Sequence, residues 1–170
     1  TPGNYCMIEV KPNWHDSTEL LGYWSNINHQ YVFPKFVRFL VKAKMYPDVP
    51  FFVCLDEMNL APVEQYFAEI LSILETRRHP KDNNTIRTGA IIESKYFEKG
   101  ILMSNDQKEE VKVDRDGWWY TEFKCYTTSQ NGDNKYKKQT EYFDKVENDR
   151  DLIENGLTLP DNVFIIGTVN

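Results

Sequence analysis

The sequence predicts an α/β protein built on a three-stranded parallel sheet with flanking helices. Three short apolar runs, residues 5–10, 51–55 and 163–166, have the composition of buried strands. Helix-like stretches separate these runs, and strands that alternate with helices typically pair in parallel. Residues 80–156 are polar but contain aromatic, strand-like patches, so we expect a small β-rich insertion there.

Composition limits the class of protein. The chain has 170 residues, enough for one domain with its own core, and 41% of them are hydrophobic. A net charge of −6 argues against a basic surface that extends over the whole protein, as in many nucleic-acid-binding proteins. The sequence has neither a membrane-spanning apolar stretch nor a signal peptide, which predicts a cytoplasmic protein without a membrane partner. Cys6, Cys54 and Cys125 have no metal-ligand spacing, and Cys6 and Cys54, which lie in apolar runs, are predicted to be buried free thiols.

Two helices are predicted between the first and second strands. Asp16 or Ser17 can cap a brief helical turn, which Gly22 ends. In residues 33–44 the apolar side chains fall on one face, and Pro34 suits the first turn of a helix. The basic side chains of this second helix are expected to form a solvated face: Lys35, Arg38, Lys42 and Lys44.

The central run, VPFFVCLDEMN at residues 49–59, contains the strongest functional signal. Asp56 and Glu57 directly follow its apolar strand. The carboxyl end of a buried parallel strand is where open α/β sheets bind their ligands. One acid can hold Mg²⁺ while the other orients or deprotonates an attacking water, as in the Walker B motif of P-loop NTPases. The alternative is that the acids only form a solvated loop or cap a helix.

The stretch after Asn59 predicts one amphipathic helix of about fourteen residues that begins at Pro62. Its core-facing side chains recur at spacings of three and one: Val63, Tyr66, Phe67, Ile70, Leu71 and Leu74. Arg77 and Arg78 are expected to close the helix, where positive charge suits the helix dipole. In the alternative, these arginines reach the phosphates bound by a neighbouring subunit.

The predicted insertion contains two strand-forming patches. Residues 89–104 contain one or two strands, and residues 118–143 are typical of a hairpin with Asn131-Gly132 at its turn. Residues 148–155 are predicted to form a loop or short helix. The aromatic residues of the hairpin form either a small core or, with nearby lysines, a platform for a base or a partner. The aromatic residues are Trp118, Trp119, Tyr120, Phe123 and Tyr126, and the lysines are Lys135, Lys137 and Lys138.

Three stretches, in this order, resemble the AAA+ NTPases of the McrB type, the nucleotide-hydrolysing subunits of modified-cytosine restriction systems. They are IEVKPNWHDSTELLGYWS, PFFVCLDEMNLAPVEQYFAEILSILE and LPDNVFIIGTVN. In that family they correspond to the second core strand, the Walker B strand with its helix, and the sensor-1 strand. The resemblance implies a partial AAA+ P-loop NTPase core at residues 1–79 and 157–170, with residues 80–156 as the β-hairpin-containing insertion.

The resemblance also implies roles for individual residues. Asp56 corresponds to the Mg²⁺-binding acid and Glu57 to the residue that polarises the attacking water. Asn59 matches the asparagine of the DE-x-N pattern, and Asn170 matches the polar sensor-1 residue. The implied cofactor is Mg²⁺ with ATP or GTP; the implied partners are further copies in a homo-oligomeric ring, a nuclease subunit and DNA. The McrB-type GTPase has an arginine directly after this asparagine, and Leu60 replaces it here.

The phosphate-binding motif GxxxxGK[ST] does not occur in the sequence. We therefore expect the P-loop to lie upstream of Thr1 in a longer parent chain, and this piece to bind nucleotide weakly or not at all. Two other functions remain open. One is a non-catalytic DNA- or protein-binding module whose insertion is the recognition surface. The other is a metal-dependent nuclease that uses Asp56 and Glu57.

Overall fold

The computed structural model describes residues 3–27, 30–79, 86–97 and 149–170. The strands are β1 (Tyr5–Glu9), β2 (Tyr23–Ser25), β3 (Gln30–Val32), β4 (Phe51–Asp56), β5 (Ala90–Ile92), β6 (Leu157–Thr158) and β7 (Val163–Gly167). The α-helices are α1 (Thr18–Leu21), α2 (Lys35–Met45), α3 (Val63–Tyr66), α4 (Ala68–Glu75) and α5 (Arg150–Asn155). Short 3-10 turns cover Met58–Leu60 and Ser94–Tyr96.

A three-stranded parallel sheet with flanking helices forms the centre of the fold, as predicted. Its strand order is β1-β4-β7, so β4 lies in the middle. Glu9 of β1 is in register with Asp56 of β4, and Leu55 of β4 is in register with Gly167 of β7. All three strands therefore end at one edge of the sheet, and this edge carries the residues that follow Asp56 and Gly167.

The two faces of this sheet differ. Cys6, Val53 and Leu55 point into the hydrophobic core on the helical side. The apolar side chains on the other face are exposed among the described residues: Tyr5, Met7, Phe52, Phe164 and Ile166. The prediction that β4 is a buried strand therefore holds for only one of its faces in this part of the chain. Its side chains instead alternate between buried and accessible positions, as in a sheet covered on one side.

Helix α2 buries Phe36, Val37 and Leu40 as predicted, but its basic face is only partly solvated, since Lys35 is exposed whereas Lys42 and Lys44 are half-buried. Lys35 Nζ donates to the Met7 carbonyl at 2.9 Å, and Lys42 Nζ donates to the Gly3 carbonyl at 2.8 Å. Burial lowers the pKa of Lys42. A third lysine of the helix, Lys44, forms an ion pair with Asp151 of α5. The prediction overlooked that a long lysine stem can lie along apolar surface while its ammonium group reaches a carbonyl or carboxylate.

The single helix predicted after Pro62 is two helices in the structure. Phe67 separates α3 from α4 with φ −107° and ψ 0°. Tyr66, Phe67 and Ile70 are buried as predicted, whereas Leu71 is 44% exposed. Because the backbone angles change at Phe67, the apolar side chains of the two short helices do not lie on one continuous face. Ile73, which the prediction did not place on the core-facing side, also packs against the core.

The arginines after α4 also differ from expectation. The helix ends at Glu75, and the Arg77 amide donates to the Leu74 carbonyl at 3.2 Å in the last turn. Arg78 is beyond the helix, because it forms an antiparallel β-bridge with Arg87. The prediction that both arginines close the helix is therefore wrong for Arg78.

Other local predictions are confirmed. Asp16 Oδ1 accepts a hydrogen bond from the Thr18 amide at 2.8 Å, and Gly22 ends α1 at φ 81°. Helix α5 lies in the segment predicted as a loop or short helix, and its cap, Asp149, accepts from the Leu152 amide at 2.7 Å.

Segments on both sides of the predicted insertion boundaries contact each other. β5 pairs with β6, and Ile92 and Leu152 belong to the same core cluster as the buried face of the sheet. The division into core and insertion stays a prediction.

Residues 118–143, with the predicted hairpin and aromatic platform, lie outside the described residues, as does Cys125. In the described part of the chain, no helix combines the length and apolar character needed to cross a membrane.

Candidate functional site

The carboxyl edge of the sheet brings the predicted site residues together. Asp56 ends β4 and Glu57 follows it, while Asn170 lies three residues after the end of β7. Asn170 Nδ2 donates to Glu57 Oε1 at 2.8 Å, although these residues are 113 positions apart in the sequence. The parallel register of β4 and β7 therefore places the two motifs side by side.

Thr168, which sequence reasoning did not select, makes four hydrogen bonds in this junction. Its hydroxyl donates to Asp56 Oδ1 at 2.7 Å and accepts from the Glu57 amide at 2.9 Å. Its own amide donates to the Leu55 carbonyl at 2.9 Å, and its carbonyl accepts from the Met58 amide at 2.8 Å. The only signal in the sequence was a hydroxyl residue just past an apolar strand and two positions before Asn170.

Glu57 has a left-handed backbone, with φ 54° and ψ 44°. Among the described residues it is the only non-glycine residue with positive φ. This conformation typically costs about 1–2 kcal/mol for a residue with a Cβ atom. Thr168 holds the Glu57 amide and Asn170 holds the carboxylate, so contacts from the segment after β7 offset the strain. Such strain is a recurrent property of functional sites.

Replacing Glu57 tests this strain. We expect Glu57→Gly to be more stable to urea unfolding than Glu57→Ala by about 0.5–1 kcal/mol. Glycine removes the strain of the left-handed backbone, and this gain exceeds the larger conformational entropy that glycine loses on folding. The control pair is Glu64→Gly and Glu64→Ala in helix α3, where the order should reverse because glycine disfavours helix. If Glu57→Ala is more stable than Glu57→Gly, the left-handed conformation of Glu57 is not strained.

The turn after Glu57 is held from two sides. The Tyr66 hydroxyl donates to the Met58 carbonyl at 2.9 Å, and burial raises the pKa of Tyr66, which therefore keeps its proton. On the other side, the Met58 side chain lies over Gly167, where a Cβ atom would be 1.9 Å from Met58 Sδ. The turn is thereby fixed against both α3 and the sheet.

Asn59 lies in this turn but is less tightly engaged than Asn170. Its Nδ2 is 3.4 Å from the Asn170 carbonyl oxygen, longer than a well-formed hydrogen bond. Its side chain is exposed, and so is the neighbouring Leu60. Asn59 thus lies at the edge of the junction, next to Leu60.

Glu9 is a second residue that sequence reasoning missed. It ends β1, is exposed, and is in register with Asp56 on the adjacent strand. The sequence signal was an acid at the end of an apolar strand. The described residues contain no group of three or more potential His, Cys, Asp or Glu metal ligands.

The loop after β1 packs onto the helices that follow the acidic pair. The Trp14 ring contacts the Tyr66 ring edge-on, with 5.4 Å between centroids. The buried Ser17 hydroxyl donates to Glu69 Oε1 at 2.6 Å. Because Tyr66 also bonds the turn at Met58, this loop contributes to the packing that supports the site.

Asp56 is the residue at this edge that could hold Mg²⁺. Thr168 engages Asp56 Oδ1, and no donor in the described part of the chain bonds Asp56 Oδ2. Mg²⁺ usually takes only one or two protein carboxylates and completes its coordination with waters and substrate phosphates. One free carboxylate oxygen is therefore an adequate protein ligand. The phosphate-cradling motif, in contrast, is not present in this sequence.

Comparison with known proteins does not assign the chain to a family. No protein-family model matches it, and no curated protein is significantly similar to it. Support for a function therefore comes from the geometry of the sheet edge and from the motifs that resemble AAA+ NTPases.

Proposed function

We propose that this chain is part of an AAA+ nucleoside triphosphatase of the McrB type, which hydrolyses ATP or GTP. The observation that carries the proposal is the hydrogen-bonded junction of β4 and β7. There Asp56, Glu57 and Asn170 meet at the carboxyl edge of a parallel sheet. This edge is the usual ligand-binding edge of open α/β sheets.

Each side chain suits a different task in phosphoryl transfer. Asp56 would hold Mg²⁺, which supplies charge neutralisation when bound. Glu57 would orient the attacking water and accept its proton. Asn170 donates to Glu57 Oε1, while Oε2 receives no hydrogen bond from the described residues and can accept one from water. Asn59 would help to position the same groups.

Other features of the proposal come from the resemblance alone. We propose that the parent protein supplies the P-loop, assembles as a homo-oligomeric ring in the cytoplasm, and acts on DNA with a nuclease subunit. The binding-module alternative depends on residues 118–138, which lie outside the described residues.

Hydrolysis of ATP and GTP by the full-length parent, measured over a range of Mg²⁺ concentrations, tests this function. Asp56→Asn should raise the Mg²⁺ concentration needed for half-maximal turnover by at least about tenfold, since a neutral amide is a weaker Mg²⁺ ligand than a carboxylate. Comparison of the two nucleotides also identifies the substrate.

The matched control is Asp48→Asn, in the exposed loop before β4. It removes the same charge away from the site and should leave the Mg²⁺ dependence unchanged. If Asp56→Asn behaves like Asp48→Asn, Asp56 does not hold the metal. If the wild-type protein hydrolyses neither nucleotide, with or without DNA, the proposed activity is wrong.

A metal-dependent nuclease is the second candidate, and Glu9 is the observation that favours it. Such sites usually need acids on more than one strand, and Glu9 is the register neighbour of Asp56. Cleavage of plasmid DNA with Mg²⁺ but without nucleotide, lost in Glu9→Gln, would support this activity. The NTPase proposal predicts no such cleavage by the purified protein.

A further inference from the structure

We propose that Thr168 is a positioning residue, which orients Asp56 for a divalent cation and holds Glu57 in its left-handed conformation through a single hydroxyl group. This role rests on the proposed function of the sheet edge. It goes beyond that function because it assigns a task to a residue that acts through Asp56 and Glu57.

The direction of the hydrogen bonds follows from the chemistry of the partners. The Glu57 amide is only a donor, so it must donate to a lone pair of Thr168 Oγ1 at 2.9 Å. An ionised Asp56 carboxylate is only an acceptor, so the single hydroxyl proton must point to Asp56 Oδ1 at 2.7 Å. The Thr168 hydroxyl thus bridges the two acidic residues in one defined orientation.

The bridge has a specific consequence for Asp56. Anchoring Oδ1 restricts rotation of the carboxylate, while the described residues provide no donor to Oδ2. Oδ2 is therefore left for a cation, and less rotational freedom is lost when the cation binds. Groups that orient a metal ligand in this way typically change metal affinity by about 10- to 100-fold.

The same hydroxyl also acts on Glu57. It is the acceptor for the amide of the strained residue, and the Thr168 backbone carbonyl accepts from the next amide, that of Met58, at 2.8 Å. Thr168 therefore holds both sides of the Glu57 Cα atom. This arrangement restricts the carboxylate that is proposed to orient the water.

Thr168 also makes backbone hydrogen bonds, so its hydroxyl group can be removed without removing its contacts to the sheet and the turn. The bonds from Thr168 N to the Leu55 carbonyl and from Met58 N to the Thr168 carbonyl do not involve the hydroxyl. The Thr168 side chain is also exposed, so a methyl group in place of the hydroxyl does not enter the core. We therefore expect Thr168→Val to retain the fold and to lose only the bridge.

The test measures Mg²⁺ dependence in the full-length protein for wild type, Thr168→Val and Thr168→Ser. Thr168→Val should need at least about tenfold more Mg²⁺ for half-maximal hydrolysis and should also have a lower kcat. Thr168→Ser keeps the hydroxyl and should remain within about threefold of wild type, a tolerance set by the usual context dependence of single hydrogen bonds. Thr168→Ala replaces the valine variant if that variant does not fold.

A second measurement follows Mn²⁺ binding by electron paramagnetic resonance, with and without the nucleotide, and needs no turnover. Weaker Mn²⁺ binding in Thr168→Val, restored in Thr168→Ser, supports the positioning role even if the wild type does not hydrolyse nucleotides. In that case only the proposed hydrolase activity is wrong. Unchanged Mg²⁺ and Mn²⁺ dependence in Thr168→Val, with or without a lower melting temperature, would overturn the positioning role and leave the hydrolase proposal intact.

Discussion

Glu57→Gln should lower nucleotide turnover in the full-length protein by about 10²–10⁴-fold, the usual contribution of a general base. Nucleotide binding should be retained, because the substitution changes neither the size of the side chain nor the left-handed backbone of residue 57. The Asn170 amide can still donate to the glutamine carbonyl, as it does to Glu57 Oε1 at 2.8 Å. The amide cannot take a proton from water at neutral pH.

Single-turnover hydrolysis and equilibrium nucleotide binding, measured on the same preparation, separate chemistry from binding. Glu64→Gln is the matched control, because Glu64 is an exposed residue of α3 and its replacement removes the same charge. It should turn over nucleotide at the wild-type rate. Turnover by Glu57→Gln near that rate would remove Glu57 from the role of base.

Gly22→Ala should lower the free energy of unfolding by about 3 kcal/mol or more, within the range of the largest single-residue effects. Gly22 has φ 81° and ψ −167°, a combination that is essentially restricted to glycine. A Cβ atom there would also lie 2.0 Å from the Val32 carbonyl oxygen and 2.7 Å from Pro34 Cδ. Relief requires movement of the backbone that joins β3 to α2.

Urea unfolding followed by circular dichroism measures this loss, and Gly89→Ala is its control. A Cβ atom at Gly89 would meet only the Thr76 side chain, with Oγ1 at 3.3 Å and Cγ2 at 4.0 Å. We expect that variant to lose less than about 1 kcal/mol. Equal stability of the two variants would show that the C-terminal end of α1 tolerates a side chain at Gly22. The close approach of Gly22 to Val32 and Pro34 would then not be required.

Local sequence patterns predicted the elements that depend on local physics. The apolar runs became β1, β4 and β7 with nearly the predicted bounds, because a short apolar run between polar or turn-forming residues is a local signal for a strand. The end of α1 at Gly22 was predicted for the same reason, since a glycine tolerates the conformation that ends a helix.

Errors arose where side chains met distant parts of the chain. The lysines of α2 have the spacing of a solvated face, yet Lys42 and Lys44 are half-buried, and Lys42 bonds the Gly3 carbonyl. The break at Phe67 was not predicted either, because the helical periodicity of the sequence continues through it. Both features depend on packing that periodicity does not represent.

For the candidate site, the sequence by itself determined which acids follow the central strand and that Asn170 follows another strand. Only the tertiary structure decided how they meet. The Thr168–Asp56 hydrogen bond joins residues 112 positions apart, and the left-handed backbone of Glu57 is maintained by contacts with Thr168 and Asn170. A pattern of neighbouring residues records local preference, whereas these contacts depend on the register of two parallel strands, which the chain reaches only when it folds.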